Sequence, residues 1–328
     1  MRAWQVKKLG APRDVLSLEA VEEPSPETGE VTVEVEAAAL NFFDILLCKG
    51  EYQESPELPF TPGAEVSGVV SATGGESAFE PGTRVLATPP LPRGGFAERV
   101  SVPEAATYPI PDSMAFEDAA ALHLVYQTAY FALHRRAGLA PGETVLVHAG
   151  AGGVGSAAIQ LARSAGARVL ATAGGEEKAG ICRNLGAEVA IDYREEDFVE
   201  VVKEETGGRG ADVIFDPVGG DVFDGSRRCV AFEGRLVVIG FTGGRIPEAP
   251  ANHLLIKNYS VLGLHWGLYR NVMPHLIHET HDELMQLYEA GDIKPLIQES
   301  VSFEALPDAL ERLENRATYG KLVTLPQG

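Results

Sequence analysis

A glycine-rich turn between a predicted strand and a predicted helix constrains the fold of this chain more than any other feature. The apolar run Thr144–His148 leads into Gly150, Gly152 and Gly155, and helical spacing follows at once. A turn this tight needs glycine, and a pyrophosphate approaches the backbone only where no Cβ intrudes. The N–H groups and positive dipole end of the helix then favour an anion. The pattern predicts a dinucleotide site; the alternative is a glycine turn without a ligand.

Strands and helices alternate from residue 144 to residue 240. The predicted strands are Thr144–His148, Arg168–Ala173, Val189–Asp192, Asp212–Phe215 and Gly234–Gly240, and the intervening helices are Val154–Ser164, Glu177–Leu185, Glu196–Glu205 and Asp221–Val230. This alternation is typical of βαβ units with right-handed crossovers. The fold class is therefore predicted as α/β, with a Rossmann doubly wound parallel sheet.

Outside this region the pattern is different. The first 100 residues predict a mainly β domain with one helix near Asn41–Lys49; its strands include Ala3–Val6, Val31–Ala37, Gly68–Thr73, Arg84–Ala87 and Phe96–Val102. An alanine-rich helix is predicted over Phe116–Ala137. After Val261 the sequence predicts only a helix at His275–Ala290, a short strand at 301–303, a helix at Leu306–Asn315 and a closing strand at Gly320–Leu325. This tail is too small for a domain of its own, so we expect it to pack on the N-terminal β domain.

Composition excludes several function classes. The 328 residues carry a formal net charge of −20, which repels nucleic-acid phosphates and disfavours such partners. No apolar run approaches about 18 residues and no signal peptide is evident, so a membrane location is not expected. The three cysteines form no C-x-x-C pair, which fits a reducing, cytoplasmic compartment.

The end of the second predicted parallel strand bears on which dinucleotide binds. NAD-selective sites usually place a carboxylate there to hold the ribose 2′-OH, but this strand ends at Gly174. Lys178 and Tyr193 follow nearby and suit a 2′-phosphate, so NADPH is the expected cofactor. The alternative is that Lys178 faces water, and the adjacent Glu176 and Glu177 would oppose a phosphate.

Seven motifs together extend this interpretation to nearly the whole chain. They are Asn41–Asp44, Pro62–Gly68, Glu80–Val85, Gly94–Glu98, His148–Gly155, Asp216–Gly220 and Arg316–Lys321. With them the chain resembles the zinc-independent NADPH:quinone oxidoreductases (zeta-crystallin-like) of the medium-chain dehydrogenase/reductase superfamily. The resemblance implies a GroES-like, mainly β catalytic domain over residues 1–120, a Rossmann domain over 121–262, and a segment 263–328 that returns to the catalytic domain. It also implies a cofactor bound between the domains and a homodimer.

The resemblance implies specific site residues as well. The catalytic candidates are Asn41, Tyr52, Thr128 and Tyr130. The predicted cofactor-binding residues are Asn41, Thr128, Gly150, Gly152, Gly153, Val154, Gly155, Thr172, Gly174, Lys178, Tyr193, Phe241, His265 and Arg316. Two alternatives stay open: Thr128 and Tyr130 are also ordinary positions for a packed helix, and Arg316 could pair with a glutamate of its own helix.

No metal site is predicted. Zinc-dependent relatives carry a cysteine followed by histidine in the Asn41–Asp44 region and a histidine where Ala64 stands, and zinc needs about three protein ligands. His275, His278 and His281 share part of a helix face, but exposed helix residues are the favoured interpretation.

The chain also departs from some quinone reductases of this type. Leu46 stands where they have a tyrosine, whereas Tyr52 matches a second such tyrosine, and Pro217 replaces a serine after the fourth parallel strand. The first change predicts a more apolar acceptor pocket, with His265 and Trp266 as candidate walls; the alternative for Trp266 is an ordinary core position.

The predicted reaction is direct hydride transfer from the nicotinamide to an electron-poor carbon of a quinone or enone. The charge that develops on the acceptor oxygen needs a hydrogen bond, for which Asn41, Thr128 and Tyr130 are candidate donors. Two other functions stay open: an enoyl-thioester or 2-alkenal reductase, and a non-catalytic NADPH-binding protein.

Overall fold

The chain forms two compact units in a computed structural model that describes residues 1–327. The first unit combines Met1–Leu124 with the chain from Pro295 onward, and the second comprises Val125–Lys294. The family resemblance implied divisions after residues 120 and 262 instead. Residues 263–294 stay with the second unit because buried polar contacts hold them there: the Gln127 side chain donates to the Ile277 carbonyl (2.8 Å), and Gln160 bonds the Lys294 backbone.

The first unit is mainly β. Its strands are β1 (Arg2–Val6), β2 (Leu16–Ala20), β3 (Glu30–Ala39), β4 (Val66–Thr73), β5 (Arg84–Ala87), β6 (Arg99–Pro103), β7 (Thr107–Pro109), β14 (Ile297–Ser302) and β15 (Lys321–Leu325). Its helices are α1 (Pro12–Val15), α2 (Phe42–Lys49) and α11 (Leu306–Glu314), with 3₁₀ turns at Glu104–Ala106 and Phe303–Ala305; the division between the units falls inside α3 (Phe116–Tyr130).

Strand β3 is the centre of the main sheet in this unit. The strand order is β14-β15-β3-β4-β5-β7, and β6 also pairs with β3. Val31, Val33 and Val35 alternate along β3 and are fully buried, as expected for a strand with one face on a core. The predicted closing strand is confirmed as β15, which pairs antiparallel with β3 through Val323 and Ala39. The C-terminal segment therefore completes the sheet that begins near the N-terminus.

The second unit contains a six-stranded parallel sheet. Its strands are β8 (Thr144–Val147), β9 (Arg168–Ala173), β10 (Val189–Asp192), β11 (Ala211–Asp216), β12 (Val230–Val238) and β13 (Ser260–Gly263), and its helices are α4 (Gly153–Ser164), α5 (Glu176–Leu185), α6 (Phe198–Glu205), α7 (Gly220–Cys229), α8 (Ala251–Lys257), α9 (Trp266–Val272) and α10 (Pro274–Glu289). The order β10-β9-β8-β11-β12-β13 is that of a Rossmann sheet, which confirms the predicted fold class. The order reverses between β8 and β11, and ligands of such sheets bind outside the strand ends at that point.

Several local predictions differ from the structure, and the strands β2, β7 and β13 were not predicted. The helix from Phe116 changes to a π-helix over Phe131–Arg136 instead of continuing as α-helix to Ala137. The helices α8 and α9 were not predicted, because seven residues show too little of a 3.6-residue period. His281 is buried on α10, whereas His275 and His278 are exposed as expected. Among residues 1–327, no helix is long and apolar enough to cross a membrane.

Candidate cofactor and catalytic site

The glycine turn lies at the reversal point of the parallel sheet. It follows β8, and Gly152 precedes α4, whose N-terminus has no side-chain cap. Gly152, Gly153 and Val154 are half-buried, so their backbone can be reached from outside. An uncapped helix N-terminus presents backbone N–H groups and a positive dipole end. The predicted dinucleotide loop thus has the geometry that a pyrophosphate requires.

Close packing explains why this turn needs glycines. A Cβ on Gly155 would lie 2.2 Å from the carbonyl oxygen of Ala149, and one on Gly150 would lie 2.8 Å from the sulfur of Cys182. At Gly152 the same atom would be 3.2 Å from the Ala149 oxygen. Gly150 and Gly155 therefore allow the turn to pack on itself and on α5, and Gly152 keeps its outer side open.

A buried histidine stabilises the chain directly before the glycine turn. His148 directly follows β8; its Nδ1 lies 3.0 Å from the Thr172 hydroxyl and its Nε2 lies 2.8 Å from the Ser226 hydroxyl. Burial lowers the pKa of His148 to about 4, against a smaller opposing effect of Asp216. Thr172, a predicted cofactor residue, is itself buried and bonds His148, so its side chain supports the end of β9.

Two cationic side chains, those of Lys178 and Arg194, lie near the end of β9. A Cβ on Gly174 would lie 2.5 Å from the Tyr193 hydroxyl and 3.4 Å from the Arg194 Nε, so these two side chains lie directly over this glycine. Burial, and next the charge of Arg194, lower the pKa of the Lys178 ammonium. Two cations that repel each other beside a strand end without a carboxylate favour an anion between them.

Asp192, which was not among the predicted site residues, stabilises the neighbouring turn. Its Oδ1 accepts from the backbone N–H groups of Gly175 (2.8 Å) and Arg194 (3.0 Å), and these bonds lower the Asp192 pKa. The carboxylate is thus engaged in fixing the turn that carries Arg194. The position could have been anticipated, because Asp192 ends the strand that neighbours β9.

Phe241 follows β12, and its ring lies next to the turn after β11. Asp216, at the end of β11, accepts from the N–H groups of Val218 (2.8 Å) and Gly219 (2.9 Å) through Oδ1. A Cβ on Gly219 would lie 3.0 Å from the Phe241 ring. His265 is exposed immediately before α9, whereas Trp266 is buried.

In the first unit, a buried network surrounds Asn41. Lys321 and Glu65, which are 4% and 1% exposed, form an ion pair with 3.0 Å between Nζ and Oε1. The Asn41 side chain bonds both residues, and the Asn41 backbone N–H donates to Asp44 (2.9 Å). Burial raises the pKa of Asp44 to about 7, although its bonds from the N–H groups of Asn41 and Gly63 oppose the shift. Neither Glu65 nor Lys321 was among the predicted site residues.

The other hydroxyl candidates differ in what they bond. The Tyr130 hydroxyl donates to the Glu283 carboxylate, and burial, then that bond, raise the pKa of Tyr130 well above its usual range. Within residues 1–327 the half-buried Thr128 hydroxyl has no hydrogen-bond partner. An open cleft of about 340 Å³ lies beside Tyr130; it is lined by Tyr130, Phe131, His134, Arg135, Leu276, Glu279, Thr280 and Glu283.

The first unit also has a half-buried apolar face close to Asn41 in sequence, formed by Phe43, Leu46 and Tyr52. Tyr52 stacks edge-on against Phe43 with 4.5 Å between ring centroids, and Leu46 on α2 is half-buried. Arg316 lies in this unit just after α11, in the left-handed region with φ of 58°. No group of three or more His, Cys, Asp or Glu residues suited to a metal ion occurs within residues 1–327.

Comparison with known proteins places these features in a family. The alcohol dehydrogenase GroES-like domain family matches residues 27–112, and the zinc-binding dehydrogenase family matches residues 153–282. A quinone oxidoreductase-like protein 2 homolog of Nematostella vectensis is 42% identical over 299 residues, which cover 90% of this chain and 81% of that protein. The chain belongs to the quinone oxidoreductase family. It is an oxidoreductase of the medium-chain dehydrogenase/reductase superfamily, as the motifs predicted, with a GroES-like unit and a Rossmann-like unit.

Solved structures of this family agree with that placement. The Escherichia coli quinone oxidoreductase complexed with NADPH is 32% identical with a TM-score of 0.91, and the match covers 99% of this chain and 100% of that one. The CurK enoyl reductase is also similar, at 27% identity and a TM-score of 0.86 over 99% of this chain and 98% of that one.

The buried neutral His148 predicts a specific pH dependence of stability. The unfolded chain binds a proton at this residue near the ordinary pKa of about 6.5, whereas the folded chain does so only near pH 4. Between these values the unfolded state binds more protons, so stability falls as the pH falls, by up to about 1.4 kcal/mol per pH unit. Chemical denaturation from pH 7 to pH 4 should show this slope in the wild type and in the exposed control His275→Gln, but not in His148→Gln. Equal slopes in all three proteins would contradict the assignment.

Proposed function

We propose that this oxidoreductase reduces quinones or related conjugated carbonyl compounds with NADPH, by direct hydride transfer and without zinc. The observation that carries the proposal is the pair of cations, Lys178 and Arg194, beside a strand end that has no carboxylate and next to an uncapped helix N-terminus. That arrangement suits a dinucleotide with an additional phosphate. A quinone oxidoreductase with the same fold was crystallised with NADPH, which supports this choice.

In the second unit, different residues would bind different parts of NADPH. The backbone of Gly152, Gly153 and Val154 would hold the pyrophosphate at the start of α4. Lys178, Tyr193 and Arg194 would hold the 2′-phosphate over Gly174. Phe241 and His265 remain predicted contacts of the cofactor from the second unit, and Asn41 and Arg316 from the first.

Bound NADPH would supply the hydride, and a quinone accepts it readily because its own conjugation takes up the electrons. The chain must then stabilise the charge that develops on the acceptor oxygen. Of the three candidate donors, Tyr130 already donates to Glu283, and the Asn41 amide nitrogen already donates to Glu65. The Thr128 hydroxyl has no such bond within the described chain, so we assign that hydrogen bond to Thr128.

The proposed substrate class follows from the apolar face of the first unit. Phe43, Leu46 and Tyr52 offer hydrocarbon and aromatic surface near Asn41, with the Tyr52 hydroxyl as a polar edge. An apolar conjugated ring suits such a surface better than a charged acceptor does. Zinc is not required in this proposal, because Ala64 supplies no ligand where zinc-dependent relatives have histidine, and Glu65 beside it is bonded to Lys321.

An enoyl-thioester or 2-alkenal reductase is the second candidate function, supported by the similarity to the CurK enoyl reductase. A non-catalytic NADPH-binding protein is the third. The three differ in which acceptor, if any, oxidises NADPH. A cytoplasmic location remains a prediction that rests on three buried cysteines without a disulfide: Cys48, Cys182 and Cys229.

Loss of Lys178 should change cofactor preference. Lys178→Ala should weaken NADPH binding by roughly 10- to 100-fold, because a charge-assisted hydrogen bond contributes about 1.5–3 kcal/mol, and it should leave NADH binding within about twofold of the wild type. Titration calorimetry with both cofactors measures this. Lys203→Ala, at a half-buried lysine in the last turn of α6, serves as the matched control. Equal weakening of NADPH and NADH would show that Lys178 does not contact the 2′-phosphate.

Substrate choice and the donor can be tested together. NADPH oxidation should proceed with 1,4-benzoquinone or a naphthoquinone, and NADP should not be reduced by a primary alcohol. Thr128→Val should lower kcat by about 10²–10³ if it supplies the oxyanion bond, whereas Tyr130→Phe should have a much smaller effect. Activity with enoyl thioesters or 2-alkenals alone would favour the second function. Tight NADPH binding without any turnover would favour the third.

We also propose that two copies pair through the β13 edge of the parallel sheet. Strand β13 ends the sheet, and the helices beside it in sequence expose Leu255 (79%), Ile256 (74%), Leu268 (54%) and Val272 (67%). A strand edge with exposed apolar side chains readily pairs with another chain.

Light scattering should therefore give about twice the chain mass of 35.0 kDa for the wild type. Leu255→Asp/Ile256→Asp should give a monomer, because two charges on this surface oppose burial. Ile246→Asp changes an equally exposed residue elsewhere and should stay dimeric. A monomeric wild type, or a dimeric double variant, would contradict the proposed interface.

A further inference from the structure

The Asn41 side chain is held in one orientation by charges of opposite sign. Its Oδ1 lies 2.5 Å from the Lys321 Nζ, and its Nδ2 lies 3.0 Å from the Glu65 Oε1 and 3.3 Å from the Ala39 carbonyl oxygen. An ammonium group can only donate and a carboxylate can only accept. The atom that faces Lys321 must therefore be the amide oxygen, and the atom that faces Glu65 must be the amide nitrogen.

The holding network is itself buried and complete. The Lys321 ammonium donates to the Leu40 carbonyl (2.9 Å), to Asn41 and to Glu65, which uses all three of its protons. The second carboxylate oxygen of Glu65 accepts from the Leu124 backbone N–H at 2.8 Å. Each charge thus has several partners, and a change at one would leave the other buried without a counter-charge.

We propose that Lys321 is a positioning residue that acts through Asn41. Together with Glu65 it fixes the carboxamide so that both amide protons are used inside the unit. Within the half-buried Asn41 side chain, only the amide oxygen is then left to bond a ligand. Asn41 is accordingly a hydrogen-bond acceptor toward the bound cofactor or substrate, and not a donor to a developing oxyanion. This inference rests on the proposed function for its catalytic consequence, but the orientation of Asn41 does not.

A cycle of variants tests the catalytic consequence. Lys321→Met should lower kcat for NADPH oxidation by 1,4-benzoquinone by about 10- to 100-fold, because misplacement of a positioned group by about 1 Å costs that much. In an Asn41→Ala background the same substitution should lower kcat by less than about twofold, because the residue through which it acts is gone. Equal losses in both backgrounds would overturn the proposal. The exposed Lys8→Met is the matched control and should match the wild type.

A spectroscopic measurement separates this proposal from the proposed function. In protein labelled with ¹⁵N at asparagine, the side-chain amide pair that disappears in Asn41→Ala identifies Asn41. That pair should shift and exchange its protons faster in Lys321→Met, and it should stay unchanged in Lys8→Met. An unchanged pair in Lys321→Met overturns the proposal whether or not the wild type reduces quinones.

If Lys321→Met does not fold, Glu65→Gln/Lys321→Met removes both charges together and avoids an unpaired buried carboxylate. The Asn41 amide pair should then shift in the same way, because its oxygen has lost the ammonium donor. A wild type with the predicted amide response but no quinone turnover would leave the positioning role intact and refute the proposed substrate class.

Discussion

The ion pair between Lys321 and Glu65 joins parts of the chain that lie 256 residues apart. It connects the first residue of β15 to the residue immediately before β4. Both charged side chains also bond Asn41, the residue that directly precedes α2. A buried ion pair is costly to form and gains its value only when every remaining donor and acceptor is satisfied. Here that requirement is met by backbone carbonyl and N–H groups. The C-terminal strand, the main sheet and the candidate catalytic amide therefore depend on one another.

In the second unit, binding of the anionic cofactor depends on local positive charge. The chain carries 20 more negative than positive charges, so an anionic ligand needs local compensation. The uncapped N-terminus of α4 provides it at one end, and Lys178 with Arg194 provides it at the other. Asp192 stays ionised beside these cations, and its Oδ1 accepts from two backbone N–H groups of the turn.

The sequence predicts the parts of this protein that follow local rules. The Rossmann sheet was predictable because its strands and helices alternate with clear periodicity, and the glycine turn because its conformation excludes other residues. The network around Asn41 was not predictable from spacing, since only the antiparallel pairing of β15 with β3 brings residue 321 close to residues 41 and 65. A lysine at the start of an otherwise apolar closing strand was the one available signal. Likewise, no local pattern shows that Glu283 accepts a hydrogen bond from the Tyr130 hydroxyl across 153 residues of sequence.

The central claim is that the side chains and the cofactor suffice for hydride transfer, without a metal ion. The direct measurement is NADPH oxidation by 1,4-benzoquinone in protein that has been treated with a strong chelator, with its zinc content determined by elemental analysis. The account predicts full turnover at a zinc content far below one ion per chain and no gain when zinc is added. Activity that disappears with the metal and returns in proportion to added zinc would contradict it.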